Sequence, residues 1–248
     1  MNRDATGLAG VRHKSYDTLG STNAEALALA RAGERGPLWI TSKTQSAGRG
    51  RRGNAWVSEP GNLFATLLLT EPSPPAQAPQ LSFVAALAVH DAIADCAPQL
   101  GPALKVKWPN DLLLGGKKLA GILIEGDSDK IFAVAVGIGI NCVSHPRETS
   151  HPATDLKSAG TAVGCDQLFA ALAGAMDGRL VQWRRGQGFA SVRADWLKRA
   201  AGLGEPIRVR LAERELHGHF EGLDDAGRLL LKGEGDVTAV AAGEVFGL

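Results

Sequence analysis

Cysteine is scarce in this chain. The 248 residues contain three, Cys96, Cys142 and Cys165, an odd number with no Cys-x-x-Cys spacing. That indicates neither a disulfide framework nor a zinc site, and reduced thiols in a cytoplasmic protein are the simplest reading. A charge excess of one sign is also missing. Lys and Arg number 27 against 26 Asp and Glu, a formal net charge of +1, so no global field draws in nucleic acid or an acidic membrane. No run reaches the roughly 18 apolar residues of a membrane span. Met1 to Gly10 carries Arg3 and Asp4 without an apolar core, so it does not read as a signal peptide. Repeats and low-complexity segments are absent. What remains is an ordinary soluble composition, with a length that fits one large domain plus a small one.

Glycine, by contrast, is plentiful, at 31 residues. In Gly48-Arg49-Gly50-Arg51-Arg52-Gly53 three glycines are interleaved with three arginines. Glycine lets backbone N–H groups approach a ligand, and arginine brings a fixed fork of donors suited to phosphate or carboxylate. Burying three guanidinium groups with no acid nearer downstream than Glu59 is untenable, so the loop sits at the surface and is built to close over an anion. A second polar motif, Lys107-Trp108-Pro109-Asn110-Asp111, reads as a strand end running into a turn.

In chain order, a helix is expected at about Thr22–Ala32, with Thr22-x-x-Glu25 at capping-box spacing and Gly33 as its stop. Ser21, Thr22 and Asn23 then lie at a helix N-terminus, where simple capping competes with ligand binding. Pro37–Ser42 and the apolar Asn62–Thr70 read as strands, and Leu81–Ala97 as a helix. Leu104–Trp108, Asp111–Leu114, Lys118–Ile124 and Ile131–Ile140 are strands joined by tight turns, including Gly115-Gly116, which implies an antiparallel sheet. Residues 145–164 look irregular. Helices at Asp166–Arg184 and Phe189–Ala201 precede a composition shift at Gly202. Beyond it, Ile207–Leu211, Glu215–Leu223, Arg228–Leu231 and Val237–Ala241 alternate as short strands, suggesting a small antiparallel barrel.

Several readings of these motifs fail or stay weak. Gly48-x-Gly50-x-x-Gly53 has dinucleotide-fold spacing, but the stretch that follows it does not open a helix. Gly116-Lys117-Lys118-Leu119 lacks the glycine spacing and hydroxyl of a phosphate-binding P-loop. One basic loop on a near-neutral chain gives few nucleic-acid contacts. His217 and His219 have no metal partner at suitable spacing, and Asp91 and Asp95 read as the wet face of their helix. By strand alternation, one of Lys117 and Lys118 faces a site and the other solvent. Gly121 fits a strand that a ligand approaches closely, and Gly137-Ile138-Gly139-Ile140-Asn141 repeats the theme, ending in an amide. Trp56 and Trp108, set inside polar motifs, could wall a site.

Taken in order, Gln45-Ser46-Ala47-Gly48-Arg49-Gly50-Arg51-Arg52-Gly53, Lys107-Trp108-Pro109-Asn110-Asp111, Lys118-Leu119-Ala120-Gly121-Ile122-Leu123 and Gly137-Ile138-Gly139-Ile140-Asn141 closely resemble the biotin protein ligases, over about residues 15–248. The resemblance implies an α+β fold: a mixed, largely antiparallel sheet with helices, like class II aminoacyl-tRNA synthetases, plus a small C-terminal SH3-like β-barrel. It implies an N-terminal tail at 1–15, a catalytic biotin- and ATP-binding domain at 16–202 and the SH3-like domain at 203–248.

The activity implied is formation of biotinyl-5′-AMP from biotin and ATP with Mg²⁺, then transfer of biotin to a lysine of a biotin carboxyl carrier protein. Lys118, Arg49 and Arg51 are implied as catalytic. Ser21, Thr22, Asn23 and Gln45 are implied at the ureido ring of biotin and Gly121 and Ile122 at its floor. Gly48, Gly50 and Trp56 belong to the closing loop, Asn110 and Asp111 to the nucleotide–metal side, and Gly139 and Asn141 to the adenylate end. Asn54 stands where many relatives carry a basic residue. Only about fifteen residues precede Tyr16, so a monofunctional form without an N-terminal DNA-binding domain is expected, as monomer or homodimer, with no nucleic acid or membrane partner. A lipoate–protein ligase of the same fold is the nearest alternative. A non-catalytic biotin- or nucleic-acid-binding module is the more distant one.

Overall fold

The computed structural model describes residues 3–6, 11–147, 149 and 152–247. Parts of the expected tail (1–2 and 7–10), of the irregular stretch (148, 150 and 151) and the last residue of the C-terminal domain lie outside them. The centre is an eight-stranded mixed sheet in the order β1-β2-β3-β4-β8-β7-β6-β5. Its strands are β1 (Arg3–Thr6), β2 (Arg12–Leu19), β3 (Leu38–Gln45), β4 (Leu63–Thr70), β5 (Leu104–Lys107), β6 (Asp111–Leu114), β7 (Lys117–Asp127) and β8 (Ala133–Ile140). Only β2 and β3 pair in parallel among the described strands; the pairs from β5 through β8 are antiparallel, as their tight turns require. The segment expected to be a tail contributes β1 and the start of β2. Arg12, His13 and Lys14 gave that stretch a polar look, although it pairs with β3 along Leu38–Gln45.

Helices cover both faces, which explains the unbroken apolar run of β4. Leu63, Ala65, Leu67 and Leu69 face one cluster, built with α2 (Leu81–Cys96), α3 (Cys165–Trp183) and α4 (Phe189–Lys198). Leu68 faces the other, with Ala26, Leu27 and Ala30 of α1 (Thr22–Arg31). The cap of α1 lies one residue earlier than the capping-box spacing indicated. Ser21 is the N-cap, its hydroxyl accepting from the Ala24 N–H at 3.4 Å. Glu25 instead accepts from the Tyr16 hydroxyl at 3.0 Å. Gly33 does end the helix, with φ +100°. Asp91 is not simply on a wet face: Arg179 of α3 reaches it at 2.6 Å and Arg199, just beyond α4, at 3.5 Å, so it ties three helical segments together.

The C-terminal part has five strands, β9 (Pro206–Arg210), β10 (Glu215–Leu223), β11 (Leu229–Lys232), β12 (Val237–Val240) and β13 (Glu244–Phe246). They form an antiparallel sheet in the order β12-β11-β10-β9-β13. The expected barrel does not close, because the short end strands β12 and β13 do not pair and closure needs a continuous ladder. Its apolar face, with Ile207, Val209, Phe220, Leu229 and Val245, joins the main core. The Trp108 indole N–H donates to the Gly227 carbonyl at 3.1 Å and fastens the two parts together.

Candidate active site

A cleft of about 460 Å³ opens on the sheet between α1, the Gly/Arg loop and the tip of the small sheet. It gathers nearly every residue singled out from sequence: Ser21, Thr22, Asn23, Gln45, Arg49, Gly50, Arg51, Trp56, Asn110, Asp111, Lys118, Gly121, Ile122, Gly139 and Asn141 all line it. Gly48 does not. It works at the loop's base, where a Cβ would meet the Trp56 carbonyl at 2.5 Å and the Ser58 hydroxyl at 2.6 Å.

At the α1 end the polar groups form a directed chain. The Thr22 N–H donates to Gln45 Oε1 at 2.8 Å, and Gln45 Nε2 donates to the Ser58 hydroxyl at 2.9 Å. Thr66, fully buried, lies 2.7 Å from Asn23 Oδ1 and 2.8 Å from the Thr22 hydroxyl. A hydroxyl has one proton, so Thr66 donates to one of the two at a time, while the Thr22 hydroxyl donates to Gln45 Oε1 at 3.2 Å. Asn23 Nδ2 donates to Glu125 at 2.8 Å and to the Leu123 carbonyl at 3.2 Å. Gly137 packs against Asn23 so closely that any side chain there would strike the amide. These short polar groups are held rigidly around an apolar floor, a design suited to a small, neutral, hydrogen-bonding ring.

The floor is made of glycine. Gly121 and Gly139 face each other across β7 and β8. The Trp56 indole lies on them: a Cβ on Gly121 would be 2.8 Å from the ring and one on Gly139 2.5 Å. The register of β6 against β7 shifts between Leu112 and Leu113, leaving Leu119 as an extra residue on β7. That bulge lets both Lys118 and Gly121 line the cleft. Lys117 points to solvent, as alternation required.

Cations converge at the other end. The Lys118 ammonium is 2.7 Å from Asp111 and 5.6 Å from the centre of the Trp56 ring. The Gly/Arg loop turns through Arg52 and Gly53, both at positive φ. Arg51 donates to Asn110 Oδ1 at 3.3 Å and to the Gly243 carbonyl at 3.5 Å, so the loop touches the small sheet. Burial pulls the Arg51 guanidinium below its ordinary value and Arg52 adds to this, while Asp111 and Glu244 oppose it. Arg49 instead reaches Glu125, 3.1 Å from both carboxylate oxygens. Asn110 donates to the Ile122 carbonyl at 2.7 Å, and Asn141 to that of Thr154 at 3.0 Å.

Sequence reasoning missed Glu125, Thr66 and the tip Gly243–Val245, and gave Gly137 no contact of its own. An acid closing the apolar run Leu119–Ile124 was the available signal for Glu125. Lys107 lay inside a noted motif but had no role; it is 6% exposed and lines the cleft. Burial lowers its ammonium and Lys118 adds to this, against Asp111 and Glu244. No cluster of three or more His, Cys, Asp or Glu able to hold a metal occurs among the described residues. Asp111 Oδ1 is buried, and its close partner is the Lys118 ammonium at 2.7 Å. One carboxylate at this end of the cleft suits an ion held mainly by a ligand's phosphates.

The Biotin/lipoate A/B protein ligase family matches residues 21–141, and the Biotin protein ligase C terminal domain matches residues 202–247. A biotin–[acetyl-CoA-carboxylase] ligase of Paracoccus denitrificans is 44% identical over 238 residues, covering 91% of this chain and 96% of that protein. One from Mycobacterium tuberculosis is 33% identical over 254 residues, covering 99% and 94%. Among solved structures, the biotin protein ligase from Aquifex aeolicus in complex with biotin and ATP superposes with TM-score 0.81 at 25% identity, over 94% of this chain and 97% of that one.

Proposed function

The chain belongs to the biotin protein ligases of the biotin/lipoate A/B protein ligase family, and on that premise we propose how its cleft joins biotin, through biotinyl-5′-AMP, to a lysine of a carboxylase's biotin carrier domain. The observation that carries the reading is the meeting, in one cleft, of a neutral hydrogen-bonding end (Thr22, Asn23, Gln45) and a cationic end (Arg51, Lys118). Biotin is that combination inverted: a polar ureido ring at one end and a carboxylate at the other.

Ser21, Thr22, Asn23 and Gln45 bind the ureido group. Gly121, Ile122 and Gly139 form its floor, with Trp56 as the wall. The carboxylate then reaches Lys118, where attack on the α-phosphate brings two anions together. A positioned ammonium lowers that barrier by matching charge that builds in the transition state. Arg49, Gly50 and Arg51 close over the adenylate, neutralise phosphate and keep water from a reactive mixed anhydride. Closure requires Arg49 to exchange Glu125 for phosphate. Asn110 and Asp111 take the nucleotide–metal side, where Mg²⁺ carried by ATP supplies charge neutralisation. Asn141 takes the adenylate end. Lys118 next holds the acyl oxygen while the carrier lysine attacks.

The catalytic unit runs to about residue 202 and takes in β1 and all of β2, and the small unit is 203–248, the latter closing the cleft with Gly243–Val245. The near-neutral net charge supports a protein partner rather than nucleic acid. The described cysteines are free thiols, which supports a cytoplasmic setting. No helix among the described residues is long and apolar enough to cross a membrane. In this reading the protein acts as a monomer or homodimer. Titration calorimetry tests substrate choice: biotin is expected to bind, and binding of lipoate instead would favour a lipoate ligase.

A further inference from the structure

We propose that Lys107 is a second catalytic cation, the group that receives the pyrophosphate half of ATP as it departs. The inference rests on the ligase reading and adds a residue to it. Lys107 ends β5 and stands directly opposite Asp111 in the β5–β6 ladder. Its side chain lines the cleft and is almost wholly buried. Lysine is rarely buried without a partner. Yet among the described residues no carboxylate or carbonyl oxygen holds its ammonium by a hydrogen bond or ion pair: Asp111 pairs with Lys118, and Glu244 with Arg210 at 2.6 Å. A buried cation facing a cleft without an acceptor of its own is built for an anion that arrives there.

The order of strands says which anion. From β4 the sheet runs β8, β7, β6, β5. Thr66 of β4 anchors the ureido-binding groups, Gly139 lies on β8, Lys118 on β7, Asp111 on β6 and Lys107 on β5. Neighbouring strands are about 4.8 Å apart, so Lys107 lies two strands beyond Lys118 on the side away from the biotin end. In phosphoryl and nucleotidyl transfer the attacking and leaving oxygens are roughly in line across the phosphorus. A carboxylate oxygen of biotin forms the new bond to the α-phosphorus. The bond from that phosphorus to the bridging oxygen breaks, and its electron pair leaves with pyrophosphate. With Lys118 at the centre and biotin on the β8 side, pyrophosphate departs toward β5. Lys107 keeps its proton and holds the leaving oxygens.

The test separates the two half-reactions. Lys107→Met and Lys107→Arg are assayed for pyrophosphorolysis (biotinyl-AMP plus inorganic pyrophosphate giving ATP and biotin) and for single-turnover transfer from preformed biotinyl-AMP to a carrier domain without pyrophosphate. Lys107→Met is expected to lose at least roughly 50-fold in pyrophosphorolysis, within the range for a lost transition-state charge partner. Its KM for ATP should rise, and transfer should stay within about twofold of the parent. Lys107→Arg, which keeps the charge and should melt like the parent, is expected to recover most of the pyrophosphate-dependent rate. Unchanged pyrophosphorolysis in Lys107→Met, or an equal loss in transfer, overturns the role of Lys107 while leaving the ligase reading intact. A parent protein that makes no adenylate overturns both.

Discussion

Lys118 and Gly121 line the same cleft although they stand three residues apart on one strand. Strict alternation would put them on opposite faces. The extra residue at Leu119 resets the register, so the ammonium and the glycine floor share a face. The position of the Lys118 ammonium is thus set by backbone geometry, beside Asp111 at 2.7 Å. Lys118→Ala should slow single-turnover adenylate formation at least roughly 100-fold, the scale of losing a transition-state charge partner. Near-normal synthesis in rapid-quench experiments would remove Lys118 from the mechanism.

A Cβ on Gly139 would fall 2.5 Å from the Trp56 indole. Gly139→Ala therefore has to lift the tryptophan off the floor, at a cost of roughly 1–3 kcal/mol. Biotin affinity is expected to weaken by about tenfold or more in titration calorimetry. Unaltered affinity would show that the indole does not shape the biotin pocket.

Arg51 bridges Asn110 and the Gly243 carbonyl. Its Arg51→Ala variant should release biotinyl-AMP at least about tenfold faster, a charge-assisted contact being worth roughly 1.5–3 kcal/mol. Biotin alone should bind almost as before. Equal effects on both ligands, measured by stopped-flow dissociation, would contradict a role at the phosphate.

Stability at acid pH should depend on the helical layer. Asp195 accepts from Gln182 and Arg179, each at 2.9 Å. The Gln182 hydrogen bond and then, against the cost of burial, Arg179 and Lys198 hold its carboxyl down at about 2, from an ordinary 3.8. A carboxyl depressed on folding stabilises above its unfolded value and loses that contribution as pH falls through the folded one. Asp195→Asn should lower the melting temperature near pH 7 by roughly 2–4 °C, about 1 kcal/mol for a chain of this size. The gap should narrow between about pH 4 and pH 2. A gap independent of pH would show that the ion pairs are not its source.

The motifs were legible because their chemistry is local. Glycines with arginines, a lysine at a strand start and an amide after Gly137–Ile140 each imply a site without any knowledge of long-range contacts. Partnerships across the sheet were not. Glu125 meets Arg49 and Asn23 from positions 76 and 102 residues away, and Gly243 meets Arg51 across 192. The strand β2 was missed because its side chains are mostly half-exposed, leaving no apolar period to read. The barrel failed for a different reason. Short alternating strands signal an antiparallel sheet, but whether its ends pair is a matter of tertiary geometry.

The central claim is that one cleft brings a biotin carboxylate to the α-phosphate of ATP. Pyrophosphate release measured at enzyme concentrations near the substrate's tests it most directly. The account predicts a burst of about one equivalent that appears only when biotin and ATP are both present, with biotinyl-AMP retained on the protein. Release from ATP alone, or none with both, would contradict it.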